Sequence, residues 1–247
     1  MKAMIFAAGL GTRLRPLTDD RPKALVEVAG KTMLQRVIER VALAGITSIV
    51  VNVHHFADKV IDYLRDHDNF GLDIAVSDER DLLLDTGGGV LKAQQLLMGD
   101  EPILLHNADI MTTLDLRAMI AHHQHSGAAA TLLVKPRVTQ RYLVFDANAR
   151  LQGWVNKKTG EVRPAGFNIK VEGYQELAFG GVHVISPAIF EALQRYGSNR
   201  QVFGIVPFYV DACRDLLING YQPQEPYQWF DAGKPETLAQ ASEAMSS

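Results

Sequence analysis

The sequence predicts an α/β protein with three layers, α/β/α, around a mixed and mostly parallel sheet. Three patterns point that way. In the first half, apolar runs of strand length alternate with helical spacings, the rhythm of βαβ units. The run SIVVNV is nearly continuous in apolar character, as a strand buried on both faces should be. From Tyr142 onward, short pieces separated by Gly, Asn and Pro predict a meander laid beside that sheet.

Taken in order, Lys2 to Ala7 is the first strand and runs into a glycine-bearing loop. Thr32 followed by Gln35 is a capping-box start. Met33, Leu34, Val37, Ile38 and Val41 then keep helical spacing as far as Gly45. Ser48 to Val53 is the second strand, and Ala57 to Asp66 a helix with Val60, Ile61 and Leu64 on one face. Leu72 to Ser77 is the third strand. In LLLDTGGGVLKAQQLL, Asp85 to Gly89 reads as a turn and Val90 to Leu97 as a helix. Pro102 to His106 is the fourth strand and ends in Asn107-Ala108-Asp109. Leu116 to His125 reads as a polar-faced helix, and Ala128 to Val134 as a fifth strand. The meander comprises YLVF, LQGWV, GFNIKV and AFGGVHVI. Ser186-Pro187 opens a helix with proline at its first position. Pro207 to Leu217 is a further helix, Tyr227 to Phe230 a last short strand, and Pro235 begins a terminal helix. No linker, repeat or low-complexity tract divides the chain, which predicts one domain over 1–247.

Composition narrows the class. The 247 residues are 47% hydrophobic and 21% charged, ordinary for a globular protein. A net charge of −3 gives no electrostatic case for nucleic acid. No apolar run approaches the roughly 20 residues of a membrane helix, and the N-terminus lacks signal-peptide architecture. The single Cys213 excludes an intrachain disulfide and reads as packing. The expectation is a cytoplasmic protein with no membrane or nucleic-acid partner. His122, His123 and His125 have no companion ligands at metal spacing and read as a solvated face.

The chemistry is concentrated in FAAGLGTRLRPLTDDRPKALVEVAGK, Phe6 to Lys31. Ala7, Ala8, Gly9 and Gly11 let the main chain approach a ligand closely, and successive N–H groups in such a turn form a concave anion site. Arg13 offers a planar fork of donors and Lys23 a compact point charge, both suited to phosphate oxygens. Asp109 stands at the C-terminal end of an apolar strand, where open α/β sheets place their ligands.

This stretch resembles the N-terminal motif of the sugar-1-phosphate nucleotidyltransferases, roughly (L/F)AAGxGTRLxPLTxxxPKAxxxVxGK, and matches it nearly throughout. LLLDTGGG resembles the L-(E/D)-T-G-G-G of the N-acetylmuramate-1-phosphate uridylyltransferase branch, and mannose-1-phosphate guanylyltransferases share parts of it. The resemblance implies a Rossmann-like three-layer fold with a nucleotide half at about 1–133 and a sugar-phosphate half at about 134–247. It implies an enzyme that joins an NTP, UTP favoured, to a sugar 1-phosphate, working as a monomer or small homo-oligomer. A guanylyl- or cytidylyltransferase, or a catalytically silent relative, is the alternative.

The implied residues follow the motifs. Ala7, Ala8, Gly9, Gly11, Thr12, Arg13, Lys23, Thr86, Gly87, Gly88 and Asn107 would bind the nucleotide, with Arg13, Lys23 and Asp109 catalytic. Asp109, in N-A-D where the family usually has N-G-D, and Asp231, in WFDAGKPET, would bind Mg²⁺. The family's E-K-P lysine, which holds the sugar phosphate, has no counterpart triplet here. Lys157 is a possible substitute, with Asn168, Tyr142 and Gly181 on the same side.

Overall fold

The computed structural model describes residues 1–246. In chain order, β1 (Lys2–Phe6) leads through short 3-10 turns at Thr12–Leu14 and Lys23–Leu25 to β2 (Glu27–Val28) and β3 (Lys31–Thr32). Then come α1 (Met33–Leu43), β4 (Ser48–Val53), α2 (Ala57–Asp66), β5 (Asp73–Asp78), α3 (Asp85–Lys92) and α4 (Gln94–Leu97). β6 (Ile103–Asn107), β7 (Ile110–Thr112), α5 (Leu116–Ser126) and β8 (Ala130–Lys135) follow. The meander is β9 (Arg141–Phe145), β10 (Leu151–Asn156), β11 (Val162–Arg163) and β12 (Gln175–Ile185). α6 (Ile189–Gly197), α7 (Ile205–Ala212), β13 (Ile218–Tyr221), β14 (Trp229–Asp231) and α8 (Pro235–Ala244) complete the chain.

Ten strands form one mixed sheet in the order β11-β10-β9-β12-β6-β1-β4-β5, with β8 beside β12 and β13 beside β8. The stretch β6-β1-β4-β5 is parallel, with Ile5 opposite both Val51 and His106. β12 runs antiparallel to β6 and continues past its C-terminal end, where it pairs with β9. The meander therefore overhangs the C-terminal edge of the parallel strands.

Side chains alternate across a strand, so β1 serves two cores: Ala3 and Ile5 on one face, Met4 on the other. The first face is covered by α1, whose Met33, Leu34, Val37, Ile38 and Val41 are buried. Each contributes about 1.5–3 kcal/mol relative to an exposed position. Thr32 caps α1 by accepting the Gln35 amide at 3.1 Å, the start that the sequence predicts. α3, α6 and α7 cover the second face, and Cys213 is buried there. Among the described residues, no helix is long and apolar enough to cross a membrane.

Three expectations are corrected. The glycine triplet is not a turn but the first half of α3: the Gly87 and Gly88 amides donate to Phe203 O at 2.8 and 3.1 Å. That cap, from a segment remote in sequence, overrides glycine's low helix propensity. GFNIKV forms no strand, being a loop bracketed by Gly166 and Gly173 in the left-handed region. His123 does not face solvent: it is buried between Thr131 Oγ1 (2.9 Å) and Ser186 Oγ (3.0 Å).

Candidate active site

At the C-terminal edge of β1, β4 and β6 lies a cleft of about 380 Å³. Its first wall is the loop after β1. Ala7 N donates to Asn52 Oδ1 at 2.8 Å, which ties the loop to the neighbouring strand. Gly11 takes φ +67, and a Cβ there would lie 2.9 Å from both Lys23 Cβ and Thr18 Cγ2, so only glycine fits this turn. Thr18 Oγ1 donates to Gly11 O at 2.9 Å and fixes the turn from the other side. The Gly9, Leu10 and Gly11 amides have no hydrogen-bond partner among the described residues. Donors exposed in a concave turn are available to an anion.

The second wall is charged, and pairing of distant strands assembles it. β14 lies antiparallel to β7 with Asp231 opposite Ile110, and Ala232 N donates to Asp109 O at 2.9 Å. Asp109 and Asp231, far apart in sequence, thus stand side by side. Lys23 Nζ pairs with Asp109 Oδ2, both side chains being mostly buried. Asp231 Oδ1 accepts the Gly233 amide at 2.9 Å. A Cβ at Gly233 would lie 2.7 Å from Asp231 Oδ1 and 2.8 Å from each of Arg13 Nη2 and Lys23 Nζ. Three charged groups therefore surround one point, with Asp109 held to it through Lys23.

Asp109 Oδ1 and Asp231 Oδ2 carry no hydrogen bond among the described residues. Two hard carboxylates with free oxygens beside an anion cradle suit a small divalent cation that keeps waters and takes substrate phosphates as further ligands. No group of three or more His, Cys, Asp or Glu converges among the described residues, so the protein offers a half-set rather than a cage.

The floor of the cleft holds two residues that the motifs do not announce. Asn52 and Glu79 are 2% and 1% exposed. Asn52 Nδ2 donates to Glu79 Oε1 at 2.7 Å, and Glu79 Oε2 accepts the Leu84 amide at 3.2 Å. Burial pushes the Glu79 carboxyl above its ordinary range, against the pull of those bonds. The signal available was the polar residue inside the apolar run of SIVVNV, since a buried side-chain amide in a parallel strand must find partners.

Other predicted residues divide clearly. Ala7, Ala8, Gly9, Lys23, Thr86, Asn107 and Asp109 line the cleft. Gly11 and Arg13 adjoin it through the contacts above, and Thr12 opens the 3-10 turn between them. Gly87 and Gly88 do not line it. Their amides go to Phe203, and their missing Cβ atoms make room for the Phe203 ring and Gln201 O. Gly181, at φ +74, abuts Asn107 Nδ2, where a Cβ would approach to 3.1 Å. Lys157 lies outside the cleft in an ion pair with Glu176 at 2.5 Å. Asn168 closes a local turn by accepting the Lys170 amide, and Tyr142 OH accepts the Thr139 amide, both away from the cleft lining.

Residues 2–247 match the model of a family described as nucleotidyl transferase. The chain is 33% identical to N-acetylmuramate alpha-1-phosphate uridylyltransferase of Caulobacter vibrioides, over 99% of this chain and 96% of that protein. It is 35% identical to the enzyme of that name from Neisseria meningitidis serogroup B, over 100% and 97%. Mannose-1-phosphate guanyltransferase beta-B of Xenopus laevis is 29% identical over 96% of this chain, which spans 62% of that protein. Among solved structures, a UDP-glucose pyrophosphorylase complexed with UDP-glucose superposes with a TM-score of 0.77 at 19% identity, covering 99% of this chain and 98% of that one. HddC from Yersinia pseudotuberculosis, complexed with GMP-PN, gives 0.74 at 21%, covering 99% of each. At those identities the superpositions establish the fold, a Rossmann-like three-layer α/β/α arrangement.

Proposed function

The chain belongs to the nucleotidyl transferase family, and from that premise we propose how its cleft makes an NDP-sugar and pyrophosphate from an NTP and a sugar 1-phosphate. The pair that we favour is UTP with N-acetylmuramate 1-phosphate, because the two relatives at 33% and 35% identity carry that name over almost their whole length.

The physical problem is repulsion. The attacking sugar phosphate and the triphosphate are both polyanions, and each pair of unit charges about 4 Å apart costs roughly 4 kcal/mol at an effective dielectric of about 20. Phosphoryl and nucleotidyl transfers leave little covalent work to the protein, so positioning and neutralisation carry catalysis. The observation that carries this reading is the convergence of Asp109, Asp231, Arg13 and Lys23 at the mouth of a cleft walled by free amides. Arg13 and the amides of Gly9 to Gly11 hold the β- and γ-phosphates that leave as pyrophosphate. Lys23 steadies the reacting phosphate; without substrate, Asp109 serves as its counter-ion. Asp109 and Asp231 are the residues that would hold Mg²⁺, which when bound supplies charge neutralisation at the reacting phosphates. A phosphate dianion is already nucleophilic near neutral pH, so no general base is needed. Thr86 and Asn107 lie along the nucleotide from base side to reacting end, and the chain from about residue 134 onward supplies the acceptor side.

Pyrophosphate release tests this for ATP, CTP, GTP and UTP, each against N-acetylmuramate, glucose and mannose 1-phosphates. UTP with N-acetylmuramate 1-phosphate should give the highest kcat/KM. A maximum for GTP with mannose 1-phosphate would replace the substrate pair, and no release with any combination would refute the reaction.

A further inference from the structure

We propose that Lys135 and Arg137, at the end of β8 and just beyond it, form the seat for the phosphate of the sugar 1-phosphate. The assignment rests on the acceptor class given above and supplies a cation pair to a chain that has no Glu-Lys-Pro triplet.

Both cations lie against Trp229. Lys135 Nζ is 4.5 Å from the centre of its ring and Arg137 Cζ 5.0 Å, while Lys135 also stands 5.7 Å from the Tyr227 ring. Neither cation has an acidic partner among the described residues, and Arg137 Nε is buried without a hydrogen-bond acceptor. Two neighbouring like charges, one with an orphaned buried donor, are unfavourable alone. Burial, with Arg137 close by, holds the Lys135 ammonium below its ordinary pKa. An anion between them relieves both penalties, and a phosphate dianion matches the charge and the fork of donors.

The position fits the reaction. Trp229 and Asp231 are two residues apart on β14 and point the same way, about 7 Å apart along the strand. Trp229, the ring that both cations face, is therefore one strand repeat from the carboxylate that meets Arg13 and Lys23. Trp229 Nε1 donates to Gly180 O at 2.8 Å, and Gly181 next to it abuts Asn107 of the cleft. Lys135 and Arg137 thus stand beside the triphosphate cleft, which neither of them lines, on the side of the overhanging meander. The indole, already faced by two cations, acts as their platform.

Trp154→Phe leaves Trp229 as the sole tryptophan, so its emission reports binding without turnover. Titration with N-acetylmuramate 1-phosphate should change that emission saturably. Lys135→Ala with Arg137→Ala should weaken the affinity at least thirtyfold, and Arg137→Lys alone should retain more affinity than Arg137→Ala. In turnover, the double variant should raise the KM of the sugar phosphate by a similar factor and leave the KM of the NTP within twofold. A KM change confined to the NTP would assign the pair to the triphosphate and overturn the proposal. Acceptor affinity within twofold of wild type in the double variant would overturn it too. Binding of the sugar phosphate through this pair, in a protein that releases no pyrophosphate with any NTP, would uphold the seat and refute the reaction instead.

Discussion

The two sides of the site handle charge in opposite ways. On the side proposed for the triphosphate, Lys23 is paired with Asp109, and Asp231 faces Arg13 and Lys23 around a single point. On the meander side, Lys135 and Arg137 crowd one indole with no acid among the described residues to answer them. A paired set can wait for a metal and a polyanion without a large net charge; an unpaired set is biased toward an anion from the outset. The contrast suits a reaction in which one substrate arrives with a cation and the other arrives bare.

Removing the ammonium should break the paired side most. Lys23→Ala leaves Asp109 without its counter-ion and the reacting phosphate without its own. A loss of about 10³ in kcat/KM, or roughly 4 kcal/mol, is expected from pyrophosphate-release kinetics; a loss under tenfold would remove Lys23 from the chemistry. The floor is the next lever. Asn52→Ala orphans the Ala7 amide and Glu79 Oε1 together, a cost of about 2–3 kcal/mol that urea unfolding should detect. An unchanged midpoint would show that the network does not hold the loop.

Gly233→Ala probes the meeting point itself. The added methyl would come within 2.8 Å of Arg13, Lys23 and Asp231, so those groups must spread. Activity should fall about tenfold, about 1.4 kcal/mol, with the acceptor-side affinity for sugar phosphate intact. Equal weakening of both substrates would erase the distinction between the sides.

Three buried histidines, on β6, α5 and β12, set a pH dependence of stability for both sides together. Burial lowers His106 and His123 to about 4 and His183 to about 3. These rings are neutral when folded and titrate near 6.5 when unfolded, so unfolding takes up protons as pH falls. Their contribution is complete above about pH 6.5 and declines toward pH 4, each ring adding a slope of up to about 1.4 kcal/mol per pH unit. Glu79, with its raised pKa, acts in the other direction. Unfolding midpoints should fall from pH 7 to 5, and His123→Gln should make the fall shallower. The same slope with and without His123 would contradict its buried neutral state.

The glycine loop and the charges beside it were legible because they are local in sequence. Glycines, Arg13 and Lys23 sit within one loop, and Asp109 follows a strand whose apolar run is plain. Gly87 and Gly88 misled because glycine weakens an isolated helix, whereas here Phe203 O caps the turn and the ring needs the space. Asn52 and Glu79 left only a polar residue in an apolar strand and an acid after another. Lys157, suitable by position, is paired with Glu176, a partner its sequence neighbourhood does not announce. Lys135 and Arg137 had no signal at all, since what marks them is an indole contributed from β14. Pairing between distant strands is what a linear pattern hides.

Magnesium titration of pyrophosphate release, in wild type and in Asp109→Asn and Asp231→Asn, tests the convergence of the two carboxylates most directly. Each variant, folded by circular dichroism, should lose at least a hundredfold in kcat and require at least tenfold more magnesium. Wild-type rates at wild-type magnesium in either variant would contradict the account.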